Sequence, residues 1–137
     1  LSGQLNELGF MGFLGQRLAG AMGGLSWVSA GLVLVVAYIL LHYLFVSQSS
    51  HVLALFGVFL DVGMRTGVPK EVLAFALLFA SSYFAAITPQ GGSQNVIFVG
   101  SGYLPQSDLY RLGAIVTAAS FAIFLLVGTP WLLLVAR

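Results

Sequence analysis

The sequence predicts an all-α membrane protein, with an interfacial amphipathic helix, a re-entrant helical hairpin, a broken transmembrane helix and a final transmembrane helix in that order. Three observations predict it. The 137 residues are 59% hydrophobic and 7% charged, with a mean hydropathy of +1.02, a composition that belongs to a bilayer and not to an ordinary soluble domain. The apolar stretches are interrupted less by charge than by knots of hydroxyl, amide, glycine and proline residues. Their lengths are also unequal, some too short and some too long for a single straight crossing.

Residues 1–24 open the chain. Within residues 4–22 the larger side chains Leu8, Met11, Leu14, Leu18 and Met22 recur at three- and four-residue steps, with Asn6, Gln16 and Arg17 elsewhere around the helix. That pattern predicts a helix lying in the interface. Gly9, Gly12, Gly15 and Gly20 weaken helical propensity and suit close helix packing instead, which is the alternative. There is no basic start followed by a continuous apolar run, so the segment does not read as a signal peptide. The chain reads as part of a longer protein.

Residues 25–68 form the predicted hairpin, with its tip at 47–51. Trp27 marks an interface, and residues 28–46 supply 19 positions without a formal charge, broken mainly by His42, about the ~20 residues of one crossing. Ser47, Gln48, Ser49, Ser50 and His51 follow at once. Beyond them the apolar run is short: residues 50–64 reach only about 22 Å as a helix, against a hydrocarbon core of ~30 Å. Either a surface loop precedes a submerged helix, or the knot is the tip of a re-entrant hairpin.

Residues 69–104 favour the hairpin. The apolar run 72–87 ends in "TPQGGS", after which "QNVIFVGSGYL" resumes apolar character up to Pro105. A continuous helix over 71–104 would measure roughly 50 Å, and Thr88-Pro89 with Gly91-Gly92 predicts a break at 88–92 in any case. Residues 105–137 complete the chain, where 112–136 is a 25-residue apolar span between Arg111 and Arg137. It should cross once.

Several function classes are excluded. The net charge is +1 and the five basic residues form no patch, so nucleic acid is not a partner. Without cysteine there are no disulfides, thiolate metal sites or cysteine nucleophiles. What remains is the chemistry of two breaks. Helices starting near Ser49 and Ser93 aim their N-terminal amides at a common anion, with serine hydroxyls beside them, and a carboxylate needs such donors. Open carbonyls near Val46 and Ile87 suit a small cation.

Each of these residues has a plainer role available. Ser47, Ser49 and Ser50 suit helix capping; His42 and His51 are either proton-relay groups or hydrogen-bonded bridges between helices. Asp61 and Arg65 are spaced for an ion pair. Thr88-Pro89 suits a simple helix breaker. The rival functional class is an intramembrane serine hydrolase built on Ser47, His51 and Asp61, although no nucleophile-elbow pattern accompanies them. A structural membrane subunit is the third.

"HYLFVSQSSH", "ITPQGGSQNVIFVGSGY" and "LYRLG" resemble the C-terminal half of the divalent anion/sodium symporter (DASS) family, above all its bacterial citrate and dicarboxylate exchangers and plastid 2-oxoglutarate/malate translocators. The similarity covers nearly the whole chain. It implies one half of an inverted-repeat elevator carrier, usually a homodimer, for di- or tricarboxylates of the citrate, succinate, malate or 2-oxoglutarate class. It also implies a missing N-terminal half and a lipid bilayer as partners, in a bacterial inner membrane or a plastid inner envelope. Ser47-Gln48-Ser49 stands where the family carries the second of two Ser-Asn-Thr motifs, and Thr88-Pro89 stands at the second helix break. The substrate-binding residues implied are therefore Ser47, Gln48, Ser49, Thr88 and Pro89. Sodium-coupled relatives use the motif Asn and a Thr four residues before the motif Ser, positions held here by Gln48 and Tyr43. Exchange is the expectation, with a sodium ion, bound through the Val46 and Ile87 carbonyls, as the one candidate cofactor.

Overall fold

The computed structural model describes residues 9–45 and 47–135, all of them in helices or the turns that join them. Asn6, Leu8 and Val46 lie outside the described residues. Helix α1, Phe10–Ala21, follows Gly9 in the left-handed region at φ 73°. It packs along the next-but-one helix through its small residues: a methyl added at Gly15 would sit 3.4 Å from the Val62 side chain. Leu18, Ala19 and the buried Met22 join the core on this side. Gly15 thus serves close packing, whereas Gly12 and Gly20 face open space, and the exposed Phe13 and Arg17 form a cation–π contact at 5.2 Å away from the packed side.

Helix α2, Trp27–His42, is capped by Ser26, whose hydroxyl accepts from the Ser29 amide at 3.3 Å. Helix α3, Gln48–Arg65, is capped in the same way by Ser47. The two run antiparallel as a hairpin. Leu34 approaches Gly63 near one end, the Tyr38 and Phe59 rings meet at 5.4 Å in the middle, and His42 meets His51 at 5.3 Å near the tip. A helical hairpin is therefore what the polar knot at 47–51 encodes.

The far end of α3 closes with two bonds, Gly67 N–H to the Met64 carbonyl at 3.2 Å and Val68 N–H to the Gly63 carbonyl at 2.9 Å. This is a Schellman motif, and it needs Gly67 at φ 80°. Pro69 then stops the helix from continuing and lets α4, Lys70–Tyr83, return beside the hairpin. Tyr38, Phe59, Leu73, Leu77 and Phe84, all essentially buried, fill the space where α2, α3 and α4 meet.

Regular α-helix ends at Tyr83, earlier than the Thr88-Pro89 signal suggests. Two single turns of 3₁₀ helix, Phe84–Ala86 and Pro89–Gly91, occupy the gap before α5, Ser93–Gly100. After a bend at Gly102, the next helix runs from Gln106 to Val135. We divide it into α6, Gln106–Ile123, a wider π turn, Phe124–Gly128, and α7, Thr129–Val135. Pro130 explains the wide turn: a proline inside a helix clashes with the carbonyl one turn back and supplies no N–H. The Thr129 hydroxyl donates to the Phe124 carbonyl at 3.3 Å. Among the described residues, this 30-residue helix is the one long and apolar enough to cross a membrane by itself. Leu112, Ile115, Ile123, Leu126, Trp131 and Leu134 stand exposed along it.

Candidate functional site

The hairpin tip and the helix break lie at one end of α4. Gln48, first residue of α3, turns its amide nitrogen onto the Ser81 carbonyl. The Ser81 hydroxyl donates to the Leu77 carbonyl at 2.9 Å and accepts from the Tyr38 hydroxyl at 3.2 Å. One serine on α4 thereby holds both arms of the hairpin. Phe84, first residue of the irregular stretch, stacks on His42 at 3.9 Å and meets His51 edge-on at 5.0 Å.

The five substrate candidates have different surroundings. Ser47 and Ser49 are exposed at the tip; Gln48 and Pro89 are half-buried; Thr88 is buried. The Ser47 hydroxyl accepts from the Ser50 amide at 3.5 Å, so it caps α3 as well as standing at the tip. Gln48 spends its amide N–H on α4 rather than presenting it at the mouth of the tip. The break itself is held from behind. Asn95, buried on the first turn of α5, donates both amide hydrogens, to the Ala85 carbonyl at 2.8 Å and the Thr88 carbonyl at 2.9 Å. The Thr117 hydroxyl of α6 donates to the Tyr83 carbonyl at 2.9 Å. Gly113, one turn earlier, admits the Ala86–Ile87 backbone so closely that a methyl there would lie 2.6 Å from the Ile87 Cα. Carbonyls freed by a helix break need partners when no water reaches them, and Thr117 and Asn95 provide them.

Asn95, Thr117, Gly113, Tyr38 and Ser81 were not singled out from sequence. A signal was present for the pair on α6: glycine and threonine four residues apart in an apolar span mark one face for helix contact. Asn95 stood between Gln94 and Val96 in a run read for its apolarity.

Ile87 is half-buried between the two 3₁₀ turns, and Val46, the other carbonyl proposed for a cation, is outside the described residues. Gln48 turns its amide nitrogen to α4, and the Ala85 and Thr88 carbonyls already accept from Asn95.

The serine, histidine and aspartate of the rival hydrolase reading do not come together. Ser47 is a cap, His51 donates from Nε2 to the Tyr38 carbonyl at 3.0 Å, and Asp61 pairs with Arg65 at 2.8 Å on an exposed face. His51 is thus one of the bridging histidines anticipated from sequence. His42 is buried with both ring nitrogens lacking a hydrogen-bond partner among the described residues.

Comparison with known proteins places the chain in a family. Residues 1–136 match the sodium:sulfate symporter transmembrane region. The chain is 35% identical over 133 residues to the chloroplastic dicarboxylate transporter 2.1 of Arabidopsis thaliana, covering 96% of this chain and 24% of that protein. It is 34% identical over 127 residues to the citrate/succinate antiporter of Escherichia coli K12, covering 92% of this chain and 26% of the other. A putative malate transporter of Bacillus subtilis is 32% identical over 131 residues, 96% of this chain and 27% of the relative. The chain therefore spans about a quarter of the length of the curated relatives it matches. The resemblance read from "HYLFVSQSSH" and "ITPQGGSQNVIFVGSGY" holds, and the chain belongs to the sodium:sulfate symporter (DASS) family, whose members are integral membrane transporters and not enzymes.

Proposed function

We propose that this chain supplies the second substrate-binding hairpin and the second broken helix of an elevator-type carrier for di- or tricarboxylates of the citrate, succinate, malate or 2-oxoglutarate class, working by exchange. The observation that carries the reading is the polar tip of a helical hairpin fixed beside a break in the following helix. In this reading α1 lies at the interface and the hairpin is re-entrant: its arms of 16 and 18 residues measure roughly 24 and 27 Å, less than a ~30 Å hydrocarbon core. The N-terminal amides of α3 and the hydroxyls of Ser47, Ser49 and Thr88 hold a carboxylate, and Pro89 keeps the break open. A second, inverted repeat from the remainder of the carrier completes the site, and the whole works as a homodimer in a bacterial inner membrane or a plastid inner envelope.

An elevator requires tip and break to move as one body. Gln48 and Tyr38 on Ser81, and His42 on Phe84, tie them together. The names of the relatives support the substrate class, and the engagement of the Ala85 and Thr88 carbonyls by Asn95 supports exchange over symport. Sodium symport is the second reading, favoured by the family's description. Proteoliposomes holding the complete carrier separate the two. Labelled succinate is expected to enter vesicles loaded with unlabelled dicarboxylate equally well in sodium or choline. Uptake into empty vesicles that needs an inward sodium gradient would establish symport instead.

A further inference from the structure

Asn95, on the first turn of α5, is buried against the helix break. It is 7% exposed, and its single amide nitrogen reaches back from α5 over the Pro89–Gly91 turn to two carbonyls three residues apart, Ala85 at 2.8 Å and Thr88 at 2.9 Å. The Thr88 carbonyl also accepts from the Gly91 amide at 3.1 Å, so its peptide plane is held from two directions. Space for this clamp depends on Gly91: a methyl there would lie 2.6 Å from the Ala85 oxygen and 3.0 Å from the Thr88 hydroxyl. Few side chains can substitute. Aspartate offers no hydrogen and sets a charge against two carbonyl oxygens, while leucine has the shape but leaves both oxygens buried without a donor.

With the Ala85 and Thr88 carbonyls held together and Thr88 extended at φ −114° and ψ 151°, the clamp restrains the backbone on both sides of Thr88 and with it the direction of the Cα–Cβ bond, because only φ and ψ are free to change. We propose that Asn95 is a positioning residue for the carried anion: its carboxamide sets the depth and aim of the Thr88 hydroxyl, so affinity for dicarboxylate depends on a side chain that does not touch it. The inference rests on the reading of Thr88 as a substrate contact.

The test uses the full-length carrier in proteoliposomes loaded with unlabelled succinate, with half-saturating external succinate and maximal exchange rate measured separately. Thr88→Ala, Asn95→Ala and the double variant are compared, each checked for cooperative thermal unfolding. Thr88→Ala and Asn95→Ala are each expected to raise the half-saturating concentration by about tenfold, the size of one lost hydrogen bond. Maximal rate should fall less, and the double variant should be little worse than either single one. Losses that multiply in the double variant, or unchanged affinity in Asn95→Ala beside a weakened Thr88→Ala, overturn the proposal while leaving the substrate site intact. Unchanged affinity in Thr88→Ala overturns the substrate reading and this inference with it. Should Asn95→Ala not fold, Asn95→Ser keeps one short donor and is measured in the same way; parent-like affinity in that variant overturns the proposal.

Discussion

At the tip, the two serines proposed as substrate contacts differ in their other contacts. Ser47 accepts the Ser50 amide, whereas Ser49 stands exposed on the first turn of α3. A hydroxyl that donates to a carboxylate contributes about 1.5–3 kcal/mol. Ser49→Ala is therefore expected to weaken dicarboxylate binding by that amount, read as a shift in half-saturating concentration at unchanged expression. Ser120→Ala, in α6, should change it much less; equal small effects at both would return Ser49 to a capping role. Residue types were legible where polarity broke an apolar run, as at Ser47 and Thr88. They were not legible where a polar group serves another backbone: nothing in "SQNVIF" says that Asn95 reaches back seven and ten residues to the Thr88 and Ala85 carbonyls.

Between elements, the fold depends on glycines placed where backbones touch. The hairpin, the break and the last span were each read from length and punctuation, because an apolar helix has a required length in a membrane and proline or paired glycine ends it. The close approach of α6 to the break was not, since Gly113 is one of 17 glycines and only its partner distinguishes it. Gly113→Ala should push the Ala86–Ile87 backbone away from α6, at a cost of roughly 1–3 kcal/mol, measured as a lower unfolding temperature of the purified carrier, with exchange impaired. Gly57→Ala, on an open face of α3 with nothing within 4 Å, should instead leave stability equal or higher by up to about 1 kcal/mol. Equal effects from the two would remove the role given to the α6 contact.

For the whole molecule, composition indicated the bilayer and the order of interruptions indicated the order of helices and breaks, while the packing of α1 along α3 needed the structure. Gly15 lies against Val58 and Val62 of the partner helix, while Gly12 and Gly20 on the same helix face open space. In the proposed carrier, α2 and α3 dip into the membrane and return on one side, bringing the Ser49 tip to the carried anion. Ser29, near the start of α2, and Met64, near the end of α3, lie at the open end of the hairpin, and this chain contains no cysteine of its own. The direct measurement places single cysteines at positions 29, 49 and 64 in a cysteine-free full-length carrier and applies membrane-impermeant thiol reagents from each side. Positions 29 and 64 should react from the same face, and position 49 should react through an aqueous cavity and be protected by succinate; reaction of 29 and 64 from opposite faces, or labelling of 49 that succinate does not slow, would contradict the account.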